Sequence, residues 1–225
     1  MVLAAGGERT NTSSRRALGE LIDIYWFPLY AFVRRQGEPP ETAEDVVQGF
    51  FTTLLEKGYL KQVDRSRGKF RSFLLAAVKH YLSKHRDKRR AQKRGGGKTI
   101  LNLDAAAAET RYAMEPTDAM TPERLFERQW ALSVLELVLN RLQGEYAAAG
   151  KRKLYQALEP CLTAGAAEVD YDSVSSKLGM TAGALRVASH RLRRRYRDLL
   201  REEIAQTVDS PAQIEEEIAY LLNCL

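Results

Sequence analysis

Apolar residues recur at helical spacing along most of the chain, and this pattern predicts an all-α fold. Residues 13–36 form the first amphipathic segment, and Pro28 within it predicts a helix that is kinked or split there. A second segment, residues 40–57, begins with acidic residues where the helix dipole favours them. Its predicted apolar face consists of Ala43, Val46, Val47, Phe50 and Leu54, and its polar face of Glu44, Asp45, Gln48 and Thr52.

A third amphipathic segment, residues 69–94, is strongly basic. Its apolar stripe consists of Phe70, Phe73, Leu74, Ala77, Val78 and Tyr81, and its opposite side carries Ser72, Lys79, Ser83, Arg86 and Arg90. Between Arg65 and Arg94 there are 12 Lys and Arg residues against a single acid, Asp87. Such a block indicates a polyanionic partner, and aromatic residues at this spacing serve either as core or as platforms on which nucleic-acid bases stack.

The helical pattern is lost after the third segment, in a stretch that includes GGGK and EPTDAMTPE. We therefore predict two small helical domains joined by a flexible linker: an N-terminal helical bundle over residues 1–94, the linker over 95–120, and a C-terminal helix-turn-helix domain over 121–225. Within the linker, AAAAETRYAM has the composition for a turn or two of helix. Thr121 and Pro122 predict the start of the next helix.

Residues 170–201 predict a helix, a three-residue turn and a longer basic helix, which is the outline of a helix-turn-helix DNA reader. Gly179 suits the end of the first helix, and Thr181 suits the cap of the second. Seven arginines lie in residues 186–201 against one acid, Asp198. The second helix is predicted to bury Leu185, Ala188, Leu192, Tyr196 and Leu199 and to expose Arg186, Val187, His190, Arg191, Arg194 and Arg197.

The amino-acid composition limits the classes of function that are expected for the protein. The 35 basic and 29 acidic residues give a net charge of +6, whereas residues 202–225 contain six acids and no base. Three histidines, two isolated cysteines and no glycine-rich phosphate loop argue against an enzyme, a metal site or a cofactor. Because no apolar run is long enough to span a membrane and no signal peptide is recognisable, we expect a cytoplasmic protein without membrane insertion.

The last predicted helix follows Ser210 and has an apolar stripe formed by Ile214, Ile218, Leu221, Leu222 and Leu225. Three roles are open for it: packing on its own domain, a surface for a partner, or an acidic lid that competes with DNA for the arginine-rich face. The long segment before the reader, residues 143–170, has no role that the pattern indicates.

Three stretches together resemble a known family. TAEDVVQGFFTTLLEK and RGKFRSFLLAAVKHYLSKHRDKRR resemble region two of bacterial sigma factors of the extracytoplasmic-function type, and DYDSVSSKLGMTAGALRVASHRLRRRYRDLL resembles their region four. The stretches occur in the family's order. Where the family often has Asn and Asp along the third helix, this chain has His80 and Lys84.

The resemblance implies three binding surfaces. The first would contact the clamp helices of the largest subunit of core RNA polymerase through Glu44, Asp45, Gln48 and Thr52. The second would bind the minus-ten promoter element through Lys79, His80, Lys84, Arg86 and Arg90. The third would bind the minus-thirty-five element through Thr181, Arg186, Val187, His190, Arg191 and Arg194. An anti-sigma or other inhibitory protein is the further partner that the resemblance implies.

Two functional hypotheses follow. As a sigma factor, the protein would bind core RNA polymerase and direct it to promoters with two recognition elements. The alternative is a stand-alone helix-turn-helix transcriptional regulator, in which only the C-terminal reader binds DNA and the N-terminal domain dimerises or senses. The regulator would recognise palindromic sites and have no affinity for polymerase.

Overall fold

A computed structural model of the protein describes residues 11–56, 69–91, 105–115, 120–163 and 170–225. Every regular element in these ranges is helical, which confirms the all-α prediction. The α-helices are α1 (Asn11–Arg35), α2 (Pro40–Glu56), α3 (Phe70–Ala91), α4 (Ala105–Ala113), α5 (Pro122–Ala148), α6 (Arg152–Leu158), α7 (Pro160–Thr163), α8 (Tyr171–Leu178), α9 (Ala182–Ala205) and α10 (Ile214–Asn223). Within the described ranges, no helix is both long enough and apolar enough to cross a membrane.

Contacts divide the chain into two compact units. The first unit contains Met1–Ser133 and Ile204–Leu225, and the second contains Val134–Glu203. This division does not coincide with the predicted domain boundaries, because the start of α5 and the whole of α10 belong to the first unit. The arrangement of two domains on a flexible linker stays a prediction, and residues 95–104 and 116–119 of that linker lie outside the described residues.

Helix α1 continues through Pro28 without interruption, so the predicted split does not occur. Proline removes one backbone N–H from the helix and costs about 3 kcal/mol in a helix interior. Burial of large apolar side chains, each worth about 1.5–3 kcal/mol, offsets that cost. The buried aromatic and leucine side chains of α1 are Leu21, Tyr25, Trp26, Phe27, Leu29, Tyr30 and Phe32.

Helices α2 and α3 lie close together at Gly49. A β-carbon at this position would collide with the hydroxyl end of Tyr81 from α3, so glycine permits the approach. The rings of Phe50 and Tyr81 meet edge to face, with their centroids 5.9 Å apart. All five predicted apolar residues of α2 are buried, which confirms its core-facing side, and Phe51 is buried in addition.

Part of the predicted linker is a helix bound to α1. Glu109 of α4 accepts hydrogen bonds from the Tyr30 hydroxyl at 2.6 Å and from Arg34 Nε and Nη2 at 2.9 and 2.6 Å. The hydrogen bond from Arg34 holds the pKa of Glu109 below its usual range. Arg111 lies over the ring of Phe27, 4.0 Å from its centroid. The stretch from residue 105 to 113 is therefore docked on the first unit rather than free to act as a tether.

The C-terminal helix α10 packs on the first unit through a buried group of opposite charges. The carboxylate of Glu217, which is 1% exposed, pairs with the Arg71 guanidinium and with Lys69 Nζ, the latter at 2.5 Å. The Arg71 guanidinium also lies over the rings of Trp130 and Tyr220, at 4.8 and 4.1 Å from their centroids. One carboxylate thus joins the C-terminal helix to the start of α3.

Of the three roles considered for the last helix, packing is the one observed. The contacts of the helix lie within the first unit, whereas the prediction placed it in the C-terminal domain. Leu221 is buried, whereas Leu222 and Leu225 are exposed. The apolar stripe is therefore buried only in part. A charged residue, Glu217, lies among the most deeply buried positions of the helix, and each of its carboxylate oxygens has a cation beside it.

The Glu217→Ala variant is expected to lose about 3–5 kcal/mol of unfolding free energy, because it leaves the buried Arg71 guanidinium without its carboxylate. Chemical denaturation followed by circular dichroism measures the loss. Glu216→Ala is the matched control, since that side chain is 75% exposed and its removal is expected to cost about 0.5 kcal/mol or less. Equal losses of unfolding free energy in the two variants would contradict a larger contribution of the buried pair to stability.

Candidate nucleic-acid interfaces

The predicted pair of helices with a short turn between them is present in the second unit, as α8 and α9. Its first helix, α8, is capped by Asp170, whose Oδ1 accepts the backbone N–H groups of Asp172 and Ser173 at 3.1 and 3.2 Å. The helix ends at Gly179, whose φ of 65° lies in the left-handed region that favours glycine. Residues 179–181 then lead into α9, which confirms the predicted three-residue turn.

Side-chain hydroxyls fix the start of α9. Thr181 Oγ1 accepts the backbone N–H of Ala184 at 3.2 Å and thereby forms the predicted cap. The Ser175 hydroxyl of α8 donates to the carbonyl oxygen of Met180 in the turn. Because these bonds hold the turn at both ends, the first turn of α9 has a defined position relative to α8.

One face of α9 packs into the core of the second unit. Of the five predicted positions, three are buried and two are partly exposed: Leu185, Leu192 and Leu199, and then Ala188 and Tyr196. Ser189, which the pattern did not place on this face, is 1% exposed and accepts a hydrogen bond from the Tyr171 hydroxyl at 3.3 Å. A polar bond therefore joins α8 to α9 within an otherwise apolar contact.

Two arginines of α9 hold the helix in place. Arg195 donates to both carboxylate oxygens of Glu145, at 2.7 and 2.9 Å, and to Glu202 at 2.9 Å. The hydrogen bond from Arg195 lowers the pKa of Glu145 below its ordinary value. Arg193 donates to the carbonyl oxygen of Cys161 at 3.2 Å. Neither arginine is among the predicted DNA contacts, and both serve the fold of the second unit.

The predicted DNA contacts of α9 remain exposed. The Arg186 guanidinium lies 5.7 Å from the centroid of the Tyr171 ring. Within the part of the chain that the structure describes, no carboxylate pairs with Arg191 or Arg194. The exposed side chains of this face, here called the reading face, are Arg186, Val187, His190, Arg191, Arg194 and Arg197.

A groove of about 430 Å³ borders the reading face. Residues of the turn and of α9 line one side of it, and residues from the segment before the reader line the other. The lining residues include Met180, Gly183, Val187 and Arg191 on the first side and Tyr146, Lys151 and Leu154 on the second. The segment to which the sequence pattern gave no role therefore supplies one wall beside the reading face.

In the first unit, carboxylates engage two of the predicted minus-ten residues. Lys79 pairs with Glu123 of α5 at 2.7 Å. Arg86 pairs with Glu38 at 2.6 Å, and Arg89 pairs with the same carboxylate at 2.9 Å. Burial raises the pKa of Glu38, but the hydrogen bonds and charges of the two arginines outweigh burial, so the pKa lies below its usual value.

The sequence pattern missed Glu38 and Glu123 as partners of α3. The first lies in the turn between α1 and α2, and the second lies in the first turn of α5, far along the chain from the cations that they bind. No local spacing rule connects such residues. The side chain of Arg90, the last predicted minus-ten residue, lies outside the described part of the structure.

His80 and Lys84 border a larger groove between α2 and α3, with a volume of about 590 Å³. Burial, followed by the nearby Arg89 charge, lowers the pKa of His85, so its imidazole is neutral near pH 7. Aromatic rings beside cations are the combination that binds unpaired nucleic acid. The aromatic lining residues are Phe50, Phe73 and Tyr81, the lysines are Lys84 and Lys88, and the imidazoles of His80 and His85 lie beside them.

The four predicted polymerase-binding residues of α2 differ in exposure. Asp45 is exposed, Glu44 and Thr52 are partly exposed, and Gln48 is 6% exposed. The Gln48 amide donates to the Glu44 carboxylate at 2.9 Å, and the Thr52 hydroxyl donates to the Gln48 carbonyl oxygen at 2.9 Å. The placement of Gln48 on the polar face is therefore corrected: the side chain is buried, and the bond to Glu44 satisfies its amide.

No protein-family model matches this chain, and neither the curated proteins nor the solved structures contain a match. The family resemblance therefore stays a prediction, and a functional assignment rests on the residues described above. Among the described residues, no group of three His, Cys, Asp or Glu side chains is placed to hold a metal ion. The candidate sites are a reading face in the second unit and a groove between two helices in the first.

Replacing Gly179 with Ala is expected to destabilise the protein by about 1–2 kcal/mol, because a β-carbon disfavours the left-handed conformation of the turn. Gly183→Ala is the matched control. An added β-carbon there has no atom within 4 Å, so the helix propensity of alanine is expected to raise stability by up to about 1 kcal/mol. Urea denaturation measures both variants, and shifts in the same direction would contradict the assigned turn.

Proposed function

We propose that the protein is a sigma factor that binds bacterial core RNA polymerase and directs it to promoters with two recognition elements. The observation that carries the proposal is the presence of two different surfaces in one chain. One is suited to duplex DNA, and the other is suited to unpaired bases. A subunit that both recognises and opens a promoter uses both kinds of surface, and their order along the chain is that of the resembling family.

The reading face supports binding to duplex DNA. An α-helix fits the major groove, where side chains from its N-terminal half contact base edges. Arg191 and Arg194 are exposed and free of carboxylates among the described residues, so a phosphate or a guanine edge would not have to displace an internal partner. The capped turn before α9 supports a fixed angle of entry.

The groove between α2 and α3 supports binding to unpaired DNA. Phe73 and Tyr81 are only partly buried, which leaves ring surface on which a base can stack. His80 and Lys84 at its border are exposed and can approach phosphate oxygens. Lys79 and Arg86 are also at least one-third exposed, so phosphates would compete there with Glu123 and Glu38.

The outward side of α2 is the proposed contact with core RNA polymerase. Asp45 is exposed, and Glu44 is partly exposed beside it in sequence. Because Gln48 is buried, its proposed part in this contact is to hold Glu44 through the 2.9 Å hydrogen bond. The proposed function places the protein in the bacterial cytoplasm, with an anti-sigma or other inhibitory protein as its regulator.

Co-elution of the full chain with purified core RNA polymerase, followed by run-off transcription from a randomised promoter library, tests the proposal. We expect a stable complex and selection of promoters with two separate elements. The Asp45→Lys variant is expected to weaken co-elution while its circular dichroism spectrum stays unchanged, because the side chain is exposed. Binding to duplex DNA without polymerase affinity, at palindromic sites, would instead support the stand-alone regulator.

Removal of Arg191 or Arg194 tests the reading face separately. Each alanine variant is expected to lose about 1–3 kcal/mol of affinity for the upstream element if the arginine contacts a base. If the arginine contacts phosphate, the slope of log affinity against log salt concentration is expected to become shallower by about one unit. Fluorescence anisotropy at several salt concentrations distinguishes the two. Arg124→Ala, which removes an exposed cation from the first unit, is the control. Unchanged binding after removal of both arginines would refute the assignment of the reading face.

A further inference from the structure

Val187 is the one large apolar side chain in the reading face, and it is 52% exposed. Residues three and four positions away are neighbours on a helix surface. On the N-terminal side those neighbours are Gly183 and Ala184, and on the C-terminal side they are His190 and Arg191. All four neighbours are exposed. The valine therefore lies in the middle of the surface that would face base edges.

The small neighbours leave the valine accessible. Gly183 has no side chain and Ala184 has a single methyl group, so these neighbours within α9 leave the N-terminal side of Val187 uncovered. The valine also borders the groove of about 430 Å³ next to the reading face. Its branched side chain has one strongly preferred χ1 rotamer in a helix, which fixes the direction in which its methyl groups project.

The chemistry of the side chain selects its partner. In the major groove, guanine, adenine and cytosine edges present hydrogen-bonding groups, whereas thymine adds the C5-methyl group. Valine has no donor or acceptor, so covering a polar edge would remove its water without replacement. In the major groove, the thymine methyl group is the apolar surface that a duplex offers.

We propose that Val187 packs against the C5-methyl group of one thymine in the upstream promoter element and so specifies a T·A pair there. This inference rests on the proposed binding of the reading face to duplex DNA. Arg191 and Arg194 supply affinity for phosphates or guanine, and Val187 supplies discrimination at a single base pair.

Deoxyuridine differs from thymidine only by the missing C5-methyl group, which gives a direct test. In the selected upstream duplex, each thymine is replaced singly by deoxyuridine, and the dissociation constant of the full chain is measured by fluorescence anisotropy. We expect a loss of about fourfold at one thymine, the value for one buried methyl group, and no change elsewhere within reach of α9.

The Val187→Ala variant is expected to bind the thymine duplex more weakly than the wild-type chain does. For this variant, replacing the thymine with deoxyuridine is expected to cause no further loss of affinity. Leu222→Ala is the matched control, because it truncates a side chain in the first unit that is 54% exposed. It is expected to retain the wild-type discrimination between thymine and deoxyuridine.

A flat deoxyuridine scan, a selected element without thymine opposite α9, or equal discrimination by wild type and Val187→Ala overturns the inference. These outcomes are distinguishable from failure of the proposed function. If the Arg191 and Arg194 variants lose duplex affinity while the scan is flat, the result supports duplex binding by the reading face and refutes thymine recognition by Val187. If the wild-type chain binds no selected duplex, both fail.

Discussion

Every cation on a folded helix must be paired with an anion or left in water, and this constraint governs both basic helices of the protein. In α9 the constraint divides the arginines into two sets. Arg195 and Arg193 are bonded to Glu145 and to a backbone carbonyl, so they hold the helix in the second unit. Arg191 and Arg194 stay in water on the opposite side. The same helix can therefore be anchored and still present charge to a polyanion.

Helix α3 meets the same constraint, but more of its described cations are paired with carboxylates. Its first cation, Arg71, is buried and depends on Glu217 and on the faces of two aromatic rings. Further along, Arg86 shares Glu38 with a neighbouring arginine, and only His80 and Lys84 of the described candidates are exposed without such a partner among the described residues. Within α3, the cation nearest the start of the helix is thus buried and paired, whereas His80 and Lys84 are exposed beside the groove.

Local patterns predicted the helix-turn-helix well because its determinants are close in sequence. Gly179, Thr181 and the leucine spacing of α9 each act within a few residues, and the structure has each of them as expected. Long-range charge pairing was not predictable in the same way. Arg71 resembles any other arginine of the basic block until α10 is brought against it, and Gln48 resembles a surface residue until its amide bonds to Glu44.

The acidic end of the sequence shows why charge counts alone mislead. Residues 202–225 contain six acids and no base, and on charge alone an acidic lid that competes with DNA for the arginines of the reader was one of three open roles. Glu202 and Glu203 instead pair with Arg141, at 3.0 and 2.8 Å, and Glu217 is buried against Arg71. Glu216 also lies 3.7 Å from Lys69, so at least four of the six acids are engaged by cations outside the reading face. Since a carboxylate already paired gains little by exchanging one guanidinium for another, these acids serve the fold of the unit in which each lies: Glu217 joins α10 to α3 in the first unit, and Glu202 and Glu203 join the end of α9 to α5 in the second.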